Sequence, residues 1–156
     1  PAYMRLGRLA VETVTDSIPG YRFELGKGAT LRDGTDVTII AVGMNVQMAL
    51  AAAEKLAAEG ISARVIDMHT IKPLDTEAVT AAINEIGKVI TVEDHNILNG
   101  LGSAVCEVAA EMGKGIVKRV GIQDQFGQSA PYERLLAMNG VTVENIIAIA
   151  ESLVNG

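Results

Sequence analysis

The stretch that most constrains the fold is Val37–Met68, VTIIAVGMNVQMALAAAEKLAAEGISARVIDM, because its hydrophobic pattern changes period twice. Val37–Val42 is a short β-branched apolar run, the mark of a strand buried on both faces. Gly43 breaks the run, and Asn45 is placed to N-cap a helix through its side-chain oxygen. Val46, Ala49, Leu50, Ala53, Leu56 and Ala57 then recur at helical spacing, with Gln47, Glu54, Lys55 and Glu59 mainly opposite. Gly60 stands where a left-handed residue ends a helix, and Ser62–Met68 returns as a second apolar strand. Two parallel strands joined by a right-handed helical crossover are the common solution for such a unit.

The rest of the chain adds units to the same sheet. Ala2–Leu6 alternates as a short strand does, and Gly7 ends it. Leu9–Pro19 has no convincing period, and Ser17–Gly20 carries turn residues, so this part is a linker. An extended segment is expected within Phe23–Leu31. Asp33-Gly34 then signals a tight hairpin into Val37, placing one edge strand antiparallel to the first core strand. Asp75 caps a helix with Val79, Ala82, Ile83 and Ile86 inward, and Glu77 suits its positive first turn. Lys88–Glu93 is a third strand, DHNILNG a loop, Leu101–Met112 a helix and Ile116–Ile122 a fourth parallel strand. Asp124–Ala130 is a loop, Pro131 opens a short helix over Tyr132–Met138, and Val143–Val154 closes the chain as an amphipathic helix. This alternation predicts an α/β fold in three layers. Its open sheet is mostly parallel with one antiparallel edge strand, and helices cover both faces.

Composition removes several functional classes. The net charge of -6 argues against a general nucleic-acid or anionic-membrane binder, since phosphate neutralisation needs clustered Lys and Arg. The longest apolar stretch, Ile39–Ala53, is interrupted by Asn45 and Gln47 and split by Gly43, so it is not a membrane span. One cysteine, Cys106, allows no internal disulfide and no cysteine-based zinc site. The N-terminus shows no basic segment followed by an apolar one, so no secretory signal is expected. The chain opens on Pro1 without Met, which fits either Met removal or a cut from a longer polypeptide.

Candidate chemistry concentrates at the expected carboxyl edge of the sheet, where open α/β folds place ligands. His69 follows the second parallel strand, and Asp94 and His95 follow the third, with Asp67 and Glu93 nearby; no HxH or HxxxH spacing supports a metal site. Gly100-Leu101-Gly102-Ser103 starts a helix after a strand and offers backbone N–H groups to an anion, although it lacks the full dinucleotide and phosphate-loop patterns. The competing role for these glycines is close helix–sheet approach. Cys106 sits in an apolar helix and is expected as a small core thiol, and the six methionines as core filler. Arg5 and Arg8, around Gly7, suit a guanidinium set against a phosphate; as bare sequence the solvated surface pair is the stronger reading.

Several blocks in order carry a family resemblance: AYMRLGR, GKGATLRDGTDVTIIAVG, RVIDMHTIKPLD, VITVEDHNILNGLGSAV, RVGIQDQFGQSAPYERLL and GVTVENI. Together they resemble the C-terminal part of transketolases, above all the C-terminal half of transketolases split into two polypeptides. Deoxyxylulose-phosphate synthases and the β subunits of 2-oxoacid dehydrogenases look like more distant relatives. Asp124–Ser129, DQFGQS, is similar to the transketolase DxFGxS segment, with Gln128 in place of the small or acidic residue expected there.

The resemblance implies one portion of a cytoplasmic, homodimeric enzyme that moves a two-carbon ketol unit between sugar phosphates with thiamine diphosphate and magnesium. Residues 1–8 would be the last strand of a truncated pyrimidine-binding domain, 9–22 a linker, and 23–156 the C-terminal α/β domain. The glycine-aspartate-glycine motif for metal and diphosphate is missing from this sequence, as is the segment with the glutamate that activates the pyrimidine. The expected partners are therefore the N-terminal diphosphate- and pyrimidine-binding domains or subunit. No catalytic, cofactor-binding or metal residue carries over to this chain, which would be inactive alone. Arg8, through Leu6-Gly7-Arg8, matches the arginine that binds the substrate phosphate, and Arg5 has a counterpart in the synthase branch.

Overall fold

A computed structural model describes residues 1–156. After a single 3-10 turn at Thr15–Ser17 come β1 (Ala29–Arg32), β2 (Val37–Ala41), α1 (Asn45–Ala58), β3 (Ala63–Asp67), α2 (Thr76–Glu85) and β4 (Lys88–Asn96). α3 (Leu101–Met112), β5 (Ile116–Ile122), α4 (Tyr132–Met138) and α5 (Val143–Asn155) complete the chain. The five strands lie in the order β1-β3-β2-β4-β5, with β1 antiparallel to β3 and every other neighbour parallel. The fold is the three-layer α/β sheet that the strand–helix alternation predicts, and no helix is long and apolar enough to cross a membrane.

Strand alternation explains the layers. Val37, Ile39 and Ala41 of β2 turn to one face and join Ala49, Ala53 and Leu56 of α1 with Ile146 and Ala150 of α5. Ile40 turns to the other, where Val79 and Ile83 of α2 meet Leu101 and Val105 of α3. β2 is buried at every position, as its unbroken apolar run requires. α1 ends in a Schellman motif, in which Gly60 at φ +83° donates to Ala57 O and Ile61 donates to Leu56 O at 2.9 Å. At α2, Asp75 caps through Ala78 N at 3.0 Å and also accepts from Gly28 N at 2.9 Å, tying the chain before β1 to the helix.

Five details differ from expectation. The Asp33-Gly34 turn makes no β1–β2 hairpin: β1 pairs with β3, and the chain passes across the start of β3 to reach β2. Thr35 and Asp36 N–H groups both donate to Ser62 O there, and a Cβ on Gly34 would collide with the Ala63–Arg64 backbone. Gly34 thus serves close approach rather than a left-handed turn. Asn45 is not an N-cap; Met44 takes that position without a side-chain bond, and Asn45 is the first helical residue, fully buried. Ala2–Leu6 forms no regular element, and β4 continues past Glu93 to Asn96. Met68 is core, whereas Met4 and Met138 are exposed.

Candidate functional site

The strand order places the sheet's switch point between β2 and β4. α1 leaves β2 on one face, α3 leaves β4 on the other, and the crevice between their starts is where such folds usually hold a ligand. In this chain the crevice holds Arg5. Its Nη1 and Nη2 donate to Oδ1 and Oδ2 of Asp94, each at 3.0 Å, and Nη2 lies 3.4 Å from the Asp94 carbonyl. This is the parallel two-bond geometry that a guanidinium and a carboxylate favour. The Arg5 side chain is 53% exposed and that of Asp94 only 15%. The bond to Asp94 raises the Arg5 pKa, against a smaller lowering by burial.

Two further groups frame the pair. Asn45 Nδ2 donates to Val42 O at 3.3 Å and approaches Asp94 Oδ1 at 3.4 Å. Tyr132, opening α4, keeps its hydroxyl buried beside Asp94; burial raises its pKa, the neighbouring Asp94 carboxylate adds to this, and Arg5 opposes it. Gly7 lies against Met44, close enough that a Cβ would sit 2.9 Å from the Met44 sulfur. Arg8 follows directly, is exposed, and takes part in none of the chain's ion pairs.

The glycine-bearing start of α3 is not open to an outside anion. Glu93, 1% exposed, directs its carboxylate there: Oε2 accepts from Leu101 N and Oε1 from Gly102 N, both at 2.8 Å. A Cβ on Gly100 would collide with Glu93 Oε2, and one on Gly102 would meet Thr91 Oγ1 and Arg119 Cδ at 2.8 Å. These glycines therefore admit the chain's own carboxylate and the sheet, as the close-approach reading has it, and the alternative anion site at Gly100–Ser103 is filled from within.

The other edge residues do not converge, because β2 separates β3 from β4. His69 Nδ1 pairs with Thr70 Oγ1 at 2.7 Å, its ring lies 4.6 Å from that of Phe23, and its buried Nε2 has no partner. Asp67 has its pKa raised by burial, partly offset by His69. His95 Nδ1 pairs with Asn96 O at 2.9 Å, and no three His, Cys, Asp or Glu side chains come together. Cys106 is partly buried and its thiol pKa is pushed up, mainly by that burial, which keeps it in the unreactive thiol form. Of the DQFGQS segment, Asp124 accepts from Asn96 Nδ2 at 2.7 Å and Phe126 is fully exposed.

Sequence reasoning missed the roles of Glu93, Asn45 and Tyr132. Glu93 carried a signal: an acid ending a run of buried β residues, eight positions before a helix start, needs a buried partner. Asn45 and Tyr132 carried none, since only the strand order brings them to one crevice.

With this geometry in hand, the comparisons are specific. Residues 26–146 match the family described as "Transketolase, C-terminal domain". A protein of Methanocaldococcus jannaschii named a transketolase C-terminal section is 44% identical over 147 residues, 94% of this chain and 46% of the relative. A 1-deoxy-D-xylulose-5-phosphate synthase of Heliobacterium modesticaldum is 39% identical over 130 residues, 83% of this chain but 20% of that protein. A solved structure described as a split gene transketolase, inactive beta4 tetramer, superposes with a TM-score of 0.87 at 42% identity, covering 96% of this chain and 48% of its own. The chain thus spans less than half the length of each. By sequence and by fold, this chain belongs to the transketolase C-terminal domain family.

Proposed function

We propose that this chain is the C-terminal portion of a transketolase whose complete form transfers a two-carbon ketol unit between sugar phosphates with thiamine diphosphate and magnesium. It is structural, inactive alone, and contributes Arg8 to the substrate phosphate. The observation that carries this reading is the state of Arg8: an exposed guanidinium with no ion-pair partner, on a segment held at the carboxyl edge of the sheet. Arg5 is the weaker candidate, because its guanidinium is engaged by Asp94.

The cofactor does not fit this chain by itself. The N-terminus of α3, the helix start best suited to a diphosphate, carries Glu93, and no cluster of acids or histidines is present to hold a bridging cation. Both half-sites belong to the diphosphate- and pyrimidine-binding domains or subunit, which are the partners of this chain in a cytoplasmic homodimeric enzyme. The related split-gene structure is itself described as inactive, which supports dependence on a partner.

The test is turnover of a ketose phosphate and an aldose phosphate with thiamine diphosphate and magnesium, by this chain alone and with its partner. Activity of the chain alone refutes the proposal. In the complete enzyme, Arg8→Ala removes a charge-assisted contact worth about 1.5–3 kcal/mol, raising KM for phosphorylated substrates roughly 10- to 100-fold. An unchanged KM refutes the role of Arg8. The match to a deoxyxylulose-phosphate synthase supports a second reading, favoured if the complete enzyme fails to use a ketose phosphate as donor.

A further inference from the structure

We propose that Asp94 is a positioning residue: seated beside Asn45 at the switch point, it grips Arg5 and so fixes where Arg8 stands. The inference rests on the role assigned to Arg8 above and adds the device that holds it. Residues 1–8 pair with none of the five strands of this sheet, so what ties them to this domain is side-chain contact. They are held at two points. Arg5 is bound through both guanidinium nitrogens to both oxygens of Asp94, which fixes orientation as well as distance. Gly7 rests on Met44, where an added Cβ would come 2.9 Å from the Met44 sulfur and push that side chain aside.

The grip is prepared from the domain side. β4 runs past Glu93, so Asp94 is carried by a strand and not by a mobile loop, and its side chain is largely buried. Gly121 of β5 makes room for this extension, since a Cβ there would press on His95 O and Ile97 Cγ2 at 3.0 Å. Asn45 presents its amide to Asp94 Oδ1, and its other contact, to Val42 O, holds the amide in that orientation. Tyr132 walls the site with a buried hydroxyl beside the pair. A crevice that would ordinarily take a ligand therefore takes an arginine from three residues before Arg8. Arg5 acts through Arg8 and not on substrate.

Two variants test this. Asp94→Asn keeps the shape and removes the charge, and Arg5→Met alters an exposed side chain that the fold does not need. In this chain, NMR backbone order parameters over residues 3–8 should fall towards those of a flexible segment in both variants while those of β2 stay unchanged. In the complete enzyme, both should raise KM for a phosphorylated acceptor at least fivefold. They should leave kcat, and KM for an unphosphorylated acceptor, as they were. The charge exchange Arg5→Asp with Asp94→Arg should recover part of the loss. Unchanged order parameters over residues 3–8 overturn the grip. If Arg8→Ala raises KM but Asp94→Asn and Arg5→Met do not, the positioning role is overturned and the reading of Arg8 stands. If Arg8→Ala has no effect, that reading fails and the positioning role falls with it. A rise in KM for both acceptor types means general disruption and also counts against positioning.

Discussion

Removing the Glu93 carboxylate from the start of α3 should cost this domain a large part of its stability. In Glu93→Gln one side-chain oxygen still accepts from a backbone N–H, but an NH2 group now faces the other donor. Both native bonds are 2.8 Å long and made to an ionised group in a buried site. Such bonds contribute about 1.5–3 kcal/mol each, and a buried N–H left facing a donor costs about 1–3 kcal/mol. Loss of the negative charge also forfeits its attraction to the helix N-terminus, up to about 2 kcal/mol in partly buried geometry. Against this, the variant no longer buries an ion. The balance is a loss of about 3 kcal/mol, or about 6–12 °C in Tm for a chain of this length. Gly100→Ala gives the control. Gly100 has φ −105°, open to any residue, so its main cost comes from the added Cβ striking Glu93 Oε2. In a Glu93→Ala background the methyl group enters space already vacated, and Gly100→Ala should then cost far less. Urea unfolding followed by circular dichroism on the two single variants and the double variant measures the coupling, expected at about 2 kcal/mol. Additivity within about 0.5 kcal/mol would mean that Glu93 and Gly100 do not share the site as described.

Two further outcomes follow from buried polar groups. The Thr38 side chain is fully buried with an unpartnered hydroxyl, so Thr38→Val should raise stability by about 1 kcal/mol; a loss in urea titration would show that the hydroxyl is satisfied. Asp67 has a folded-state pKa raised above 3.8 by burial, so its ionised form costs stability at neutral pH, a cost relieved as pH falls through the folded value towards 3.8. Asp67→Asn should therefore raise Tm at pH 7 with the gap closing in acid, and a gap that widens in acid would reverse the sign of the burial effect.

The layered sheet was legible because β2, β4 and the four long helices obey one period each, and tertiary packing agrees with local preference. The failures share a cause: a local motif lost to a contact distant in sequence. Asp33-Gly34 has the composition of a tight hairpin, yet Gly34 is needed where the chain presses on the Ala63–Arg64 backbone, and β1 pairs with β3. Asn45 has capping chemistry, but burial beside Val42 and Asp94 gives its amide other partners. The glycines at 100 and 102 look like an anion site because they are one, although the anion is a side chain of the neighbouring strand. Of the candidate site, Arg5 and Arg8 were legible as a pair around Gly7, but only the family likeness favoured a phosphate contact for Arg8 over an ordinary surface feature.

Two polar positions at the carboxyl edge of this sheet are taken by its own side chains, while the start of α1 carries no side-chain cap, and this bears on where function can reside. An open α/β domain normally has two polar resources at that edge: free N–H groups at helix starts and the crevice at the switch point. Here Glu93 consumes the first at α3, and Arg5 with Asp94 fills the second. A small anionic ligand arriving at either place would have to displace an internal charge-assisted bond, which cancels much of what the new contact contributes. Arg8, on the segment whose Arg5 occupies that crevice, remains free of such bonds. On the function proposed above, this arrangement leaves Arg8 available to a site completed by other protein.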